Sequence, residues 1–331
     1  MLRLDGLGAL PARSAGGRVA TVGVFDGVHL GHFVVMRQVV ERARALGAAP
    51  TVVTFAGHPK EVLVGRAPAT VTSLAHRLLL FERAGIGTTL VLDFTPELRE
   101  LTAAQFTRRV LVDGLGVREL VLGFDSKFGK DRSGTAASLQ PLAAELGVVL
   151  VEVPPLRLEE RAVSSSAIRE AVQLGELDRA AAMLGRPVSL LGSVIRGHGR
   201  GREIGFPTAN LDPHHVLRPP DGVYAVMVLL DGRLRPAVAN IGERPTFGSP
   251  GHSVEVHLLD FDGDLYGREL EVYFLERLRG EGTFAGAAEL GRQIGRDVEA
   301  ARRSAAAAPE RWVIPGAYLP IEHPGSGVTR G

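Results

Sequence analysis

Two histidines three residues apart, His29 and His32, stand among glycines in VGVFDGVHLGH (residues 22–32). Imidazoles at that spacing can meet phosphate oxygens, ligate a metal ion, or cap a helix as partly exposed residues. A zinc centre needs a further ligand, and this H-x-x-H lacks the glutamate of a metalloprotease helix. A second group, VSSSAIRE (163–170), sets Ser165, Ser166 and Arg169 at the start of a predicted helix. There, hydroxyls, N–H groups and a guanidinium can surround an anion, or the serines can be plain caps. GFDSKFGKDRSG (123–134) is a glycine-punctuated loop that carries Asp125. It reads as a ligand loop or a surface turn, and it is no Walker A sequence, because Gly129-Lys130 is followed by Asp131. In GHGRGREIGFPTANL (197–211), Gly197, Gly199, Gly201 and Gly205, with Arg202 among them, suit a backbone cradle for phosphates or a flexible loop. Thr208 and Asn210 are alternate residues, so an extended segment projects both oxygens from one face, as hard ligands suited to Mg²⁺. Glu255, in SVEVHLLD, shares a strand face with His257 and Leu259. That face is either solvent-exposed or a site in which the carboxylate points at the mouth of a barrel as a base.

The elements that must position these groups fall into two textures. From residue 19 to 153, apolar β-branched runs (19–25, 51–55, 88–94, 119–124, 148–153) alternate with amphipathic stretches near 31–46, 73–84, 102–113 and 135–146. Near-continuous apolar strands separated by helices predict a doubly wound parallel sheet covered on both faces. The strand–turn–helix at 22–32 then lies at the carboxyl edge of that sheet, where such folds bind ligands. Pro141 is expected to kink or split the last of these helices. The stretch 165–184 predicts a closing helix. After residue 187, short strands follow one another with turn signals, Asp231-Gly232 and Asp262-Gly263-Asp264 among them, and predict a small antiparallel barrel. A terminal helix is expected over 284–303, with Ala287, Leu290, Ile294 and Val298 on one face. Domains are therefore expected at 1–185 and 186–303, with an Ala/Gly/Pro-rich tail, 304–331, expected to be mobile.

Composition sets the outer bounds. The 331 residues are 45% hydrophobic and 23% charged, with a net charge of +1 and arginines spread along the chain. Neither a nucleic-acid nor a membrane surface is expected from that balance. The absence of cysteine removes disulfides, thiolate catalysis and cysteine metal sites. Asp5 interrupts the apolar start of the chain, so no signal peptide is expected, and the expected location is cytoplasmic. Oligomeric state is not legible here, and a homo-oligomer is compatible with the sequence.

The first set of motifs resembles a known family. GVFDGVHLGH looks like the H-x-G-H signature of nucleotidyltransferases. With TFAGHPKEVL (54–63), LGFDSKFG (122–129) and SSSAIR (164–169), it resembles the FMN adenylyltransferase half of bifunctional FAD synthetases. That resemblance implies that His29 and His32 contact ATP phosphates, with Gly23, Phe25, Asp26 and Gly27 around them. It places Asp125 at the family's Asp/Asn position and Ser165, Ser166 and Arg169 at its serine/threonine–arginine phosphate site. The chain departs from the family's pattern in Ser126 after Asp125, where an aromatic is usual, and in Ala56-Gly57 before His58. GREIGFPTANL, ANIGERPTFG (239–248) and EVHLLDFDGDLYG (255–267) resemble riboflavin kinase, and Arg279, Glu281 and Phe284 fit that family's Arg-x-Glu-x-x-Phe segment. The resemblance implies Thr208 and Asn210 as holders of Mg-ATP and Glu255 as general base. Together the two halves imply phosphorylation of riboflavin to FMN and adenylylation of FMN to FAD, with ATP, riboflavin, FMN and FAD as partners and Mg²⁺ as cofactor. The alternatives weighed against this are a kinase alone, with an impaired first half, and a flavin- or nucleotide-responsive regulatory protein.

Overall fold

The computed structural model describes residues 1–10, 17–57, 65, 68–158, 161–197, 201, 205–213, 216–244, 251–308, 311–314 and 317–320. The described chain divides into two compact units, Met1–Thr70 with Leu74–Ser165, and Val71–Ser73 with Ser166–Gly331.

The first unit is a six-stranded parallel sheet. Its strands are β1 (Leu2–Asp5), β2 (Arg18–Val22), β3 (Ala49–Phe55), β4 (Thr88–Leu92), β5 (Val117–Gly123) and β6 (Val149–Val153), in spatial order β1-β4-β3-β2-β5-β6. Every residue of β2 and β4 is buried, as strands covered on both faces require. The helices are α1 (Leu30–Leu46), α2 (Leu74–Arg83), α3 (Pro96–Glu100), α4 (Ala103–Phe106) and α5 (Ala136–Leu146). Met36, Val39 and Ala43 of α1 are buried one turn apart, and Gly47, at φ 59°, ends that helix in the left-handed conformation.

Four expectations change. β1 extends the sheet beyond β4, where no strand was expected. The stretch 102–113 is α4 followed by π-helical turns over Thr107–Gly114. α4 begins at a capping box in which Thr102 and Gln105 satisfy each other's backbone N–H groups. Pro141 neither splits nor ends α5, which runs through it from its own Thr135 cap. Residues 165–184 form two helices, α6 (Ser165–Gln173) and α7 (Leu177–Leu184), separated at Gly175, whose φ is 76°.

The second unit holds α6, α7 and a closed barrel of six antiparallel strands. These are β7 (Ser189–Ile195), β8 (Ala209–Asp212), β9 (Gly222–Leu230), β10 (Arg233–Arg244), β11 (Gly251–Leu258) and β12 (Glu269–Arg279), closing in the order β8-β11-β10-β9-β12-β7. One helix, α8 (Ala287–Ala307), lies on the outer wall, where Ala301 and Val298 pack on Val223, Ala225 and Val238. Arg279, at the end of β12, grips the buried Asp297 of α8 through two nitrogens and carries Phe284 beneath its guanidinium. Helix α8 continues to Ala307, and Arg311–Ile314 pairs with Ala317–Pro320, both within the stretch expected to be a tail. Among the described residues no helix is long and apolar enough to cross a membrane.

Candidate active sites

At the carboxyl end of β2 the chain turns sharply before α1. Phe25, Gly27 and Val28 have φ values of 54°, 81° and 40°. That region is ordinary for glycine but strained for an aromatic and for a β-branched residue, and it persists only where the surroundings fix it. The surroundings are visible. The buried Phe25 ring meets Phe81 edge-on at 5.8 Å and His32 at 5.2 Å. Gly23 leaves room for that ring, since a Cβ there would come within 3.0 Å of it. The Asp26 carbonyl accepts a hydrogen bond from Ser165 Oγ at 2.9 Å.

His29 caps α1, and its Nδ1 accepts the His32 backbone N–H at 3.3 Å. A neutral His29 ring bonded this way carries its proton on Nε2. The His29 and His32 rings stack at 3.5 Å and 18°. The two stacked imidazoles thus stand at the N-terminus of a long helix, where helices favour anions. Asp125 follows β5, the neighbour of β2, and so stands exposed on the same sheet edge. Gly23, Phe25, Asp26, Gly27, His29, His32 and Ser165 are thus brought together in the first unit. Ser166 and Arg169 lie one turn apart on α6, with Arg169 Nη1 donating to Ser166 Oγ at 3.4 Å. The second half of the loop 123–134 is a packed corner, where Phe128 packs on Phe106, Lys130 pairs with Glu100 at 2.5 Å, and Gly129 abuts Ala103.

Sequence reading missed Arg77. It lies on α2, is 3% exposed, and donates to Val24 O, Thr54 Oγ1, Phe55 O and Ala56 O at 2.6–3.4 Å. Burial lowers its pKa, and the nearby Asp26 carboxylate opposes that shift. The available signal was its place among Leu74, Leu78 and Phe81, on the apolar stripe of a predicted helix.

In the second unit the register assembles the other group. Asn210 of β8 and Asn240 of β10 both lie opposite Glu255 of β11, so three polar side chains form a row across three strands. Val254, Val256 and Leu258, the alternate residues of β11, are buried. Their partners Ala239 and Ala209 lie inside the barrel, whereas Val238, opposite His257, packs beneath α8. Glu255 therefore stands on the outer wall of the barrel, not in its mouth. Thr208 Oγ1 donates to Glu255 Oε2 at 3.4 Å. His257 Nδ1 lies 2.8 Å from Pro207 O, and the His257 ring meets Phe206 edge-on at 5.5 Å. The segment before β8 is thereby tied back to the strand that bears the carboxylate. Gly197 covers Asn210 so closely that a Cβ would lie 2.1 Å from Asn210 Nδ2, and Gly201 lies beside Phe206 O. Gly205, at φ 83°, turns the loop in a conformation that glycine adopts without strain. Gly199 and Arg202, like His58, lie outside the described residues. Asn240 was missed as a site residue because it joins the row only through register. Gly242, two residues along the same face, leaves space for the Glu281 carboxylate, which a Cβ would meet at 2.0 Å.

Comparisons with known proteins agree with this division. A family model described as FAD synthetase matches residues 12–167, and one described as riboflavin kinase matches residues 184–305. A Pseudomonas fluorescens protein named bifunctional riboflavin kinase/FMN adenylyltransferase is 41% identical over 296 residues, 89% of this chain and 95% of that one. Proteins of the same name from Haemophilus influenzae and Bacillus subtilis are 38% and 37% identical, over 86% of this chain and 94% and 92% of theirs. A Streptococcus pneumoniae crystal structure described as a macrolide-efflux protein matches with a TM-score of 0.79 and 31% identity, covering 91% of this chain and 99% of that one.

Proposed function

The chain belongs to the bifunctional riboflavin kinase/FMN adenylyltransferase family, and we propose that each of its two units carries one of the two reactions. The second unit transfers the γ-phosphoryl group of ATP to the ribityl 5′-hydroxyl of riboflavin, giving FMN and ADP. The first transfers the adenylyl group of a second ATP to the FMN phosphate, giving FAD and pyrophosphate. The observation that carries this reading is that the two constellations are built in different units and from different chemical types.

In the second unit an alcohol must lose a proton as its oxygen attacks phosphorus. Glu255, on an accessible wall and within reach of Thr208, is the group placed to take it. Thr208 Oγ1 and the Asn210 carboxamide present neutral hard oxygens beside that carboxylate, a donor set that fits Mg²⁺ completed by phosphate oxygens. When bound, Mg²⁺ supplies charge neutralisation on the transferring phosphates. The chain's own part is to hold Thr208 and Asn210 beside Glu255; the glycines of 197–205, with Gly199 and Arg202 outside the described residues, supply the phosphate contacts that the resemblance implies.

In the first unit the nucleophile, the FMN phosphate, is already an anion and needs no base. Its oxygen attacks the α-phosphorus of ATP and pyrophosphate leaves, so alignment and charge stabilisation suffice. His29 and His32 donate to the triphosphate, the N–H groups that open α1 assist, and Ser165, bonded to the Asp26 carbonyl, adds a hydroxyl; Ser166 and Arg169 are the phosphate contacts that the family resemblance adds. Gly23, Phe25, Asp26 and Gly27 shape the turn, and Asp125 faces the substrates from the next strand. The protein acts as a soluble cytoplasmic enzyme with no nucleic-acid or membrane partner.

Incubating the pure protein with riboflavin, Mg²⁺ and ATP and resolving the flavins by chromatography tests the reading. FMN followed by FAD is expected. FMN alone would restrict the chain to the kinase, and neither product would contradict both assignments.

A further inference from the structure

The buried guanidinium of Arg77 lies directly beneath the turn that carries the two histidines. Its Nη1 donates to Val24 O at 2.6 Å and to Thr54 Oγ1 at 3.0 Å, and its Nη2 donates to Phe55 O at 3.0 Å and Ala56 O at 3.4 Å. Thr54 Oγ1 in turn donates to Val24 O at 3.2 Å. One planar fork thus pins the carboxyl ends of β2 and β3 together. Val24 is the residue before Phe25, where the strained left-handed turn begins. One helical turn further along α2, Phe81 holds the ring of that same Phe25, and Phe25 holds His32. Helix α2 therefore grips the turn twice, by its backbone through Arg77 and by its side chain through Phe81.

The acceptors are all neutral, which is unusual for a cation that is 3% exposed. The four hydrogen-bond acceptors carry no charge, and the nearby buried Asp26 carboxylate is the group that offsets the guanidinium electrostatically. Arginine stays protonated in such a place and presents its donors in a rigid plane, which lysine cannot copy.

We infer that Arg77 is a positioning residue for adenylyl transfer, fixing the Val24–Val28 turn so that His29 and His32 meet the triphosphate, and adding a buried positive charge beneath it. This rests on the reading of the first unit as the adenylyltransferase.

The test measures FAD formation from supplied FMN and ATP, with separate kcat and KM values, in Arg77→Lys, Arg77→Met and Thr54→Val. His29→Ala serves as a reference, and each variant is checked for native fold by near-ultraviolet circular dichroism. Arg77→Lys keeps the charge and loses the fork, so its kcat should fall about 10–100-fold with the KM for ATP within about threefold of the wild type. Arg77→Met loses both, so the KM for ATP should rise as well, and the lysine variant should restore that KM but not kcat. Wild-type kcat and KM in a folded Arg77→Lys would overturn the inference, as would equal effects of lysine and methionine on KM. Should the arginine variants not fold, Thr54→Val removes one arm of the clamp at constant shape. A kcat loss of about 3–10-fold there supports the inference, and an unchanged kcat overturns it. If His29→Ala leaves FAD formation intact, the underlying assignment of the site has failed instead.

Discussion

The two units face the same anion, a nucleotide triphosphate, and meet it with different materials. In the first, the means are imidazoles, a helix N-terminus and a buried arginine at the edge of a parallel sheet. In the second, as proposed above, they are the neutral oxygens of Thr208 and Asn210 and the carboxylate of Glu255. The difference follows from the nucleophile. A phosphate attacks as the anion it already is, so the first site needs positive charge and no base. A ribityl alcohol must be deprotonated, so the second needs a base, the role proposed for Glu255, and a carboxylate beside phosphates favours a bound cation such as Mg²⁺. The supports differ too. The first turn is held from below by Arg77, buried and four times bonded, whereas Pro207 and Thr208, ahead of β8, are held from the side by the partly exposed His257 and by Glu255.

The largest effect that could break this contrast is at Glu255. Glu255→Gln keeps the shape and removes the base, so FMN formation should fall by about 10³, within the range for losing general-base catalysis, while FAD formation from supplied FMN continues at the wild-type rate. Initial rates with each flavin read this directly, and an active glutamine variant would dismiss the base. His29→Ala is the mirror experiment. FAD formation should fall by about 10²–10³, as when a donor to transition-state charge is removed, and FMN formation should persist. The pH dependence of the residual adenylyl transfer should show no new requirement for a base.

A smaller effect sharpens the comparison of supports. His257→Ala should raise the KM for Mg-ATP in the kinase reaction about tenfold by releasing Pro207 and Thr208. His257→Asn, whose amide can stand where Nδ1 stood, should recover most of that loss. Equal KM values for the two variants would make the contact incidental. The smallest effect lies away from both sites. The Asp260 carboxyl is held below the ordinary carboxylate range by its hydrogen bonds to Arg302 on α8. A depressed folded-state value means that this contribution is complete above the ordinary carboxylate pKa and disappears as pH falls through the depressed one. Because the pair is largely solvated, less than about 1 kcal/mol is at stake. Denaturant titration should find Asp260→Asn weaker than the wild type at pH 7, with the difference shrinking as the pH falls below the ordinary carboxylate range.

The parts legible in the sequence were those written in local pattern. The strands at 51–55 and 88–94 are apolar throughout because both faces are covered, and His29 announced itself by lying between a strand and a helix among glycines. β1 was illegible because a four-residue edge strand buries Leu4 alone and pairs on one side only. Helix 102–113 broke differently from its pattern because Thr102 caps a new start, and π-helical turns follow. Arg77 looked like any arginine on a helix, since the four acceptors that define it come from residues 24 and 54–56. Asn240 joined Glu255 and Asn210 through strand register, which a single sequence does not carry. The outer-wall position of Glu255 was hidden for a related reason: alternation separates two faces but does not say which one closes inward.

Mixing the two single-site variants tests the central claim, that one chain houses two separable reactions, most directly. Supplied with riboflavin, Mg²⁺ and ATP, His29→Ala alone should stop at FMN, and Glu255→Gln alone should leave riboflavin unchanged. The two together in one tube should restore FAD, with FMN passing through solution between them. If either folded variant loses both activities, or if the mixture makes no FAD while each variant keeps its own reaction, the sites are not the independent pair described.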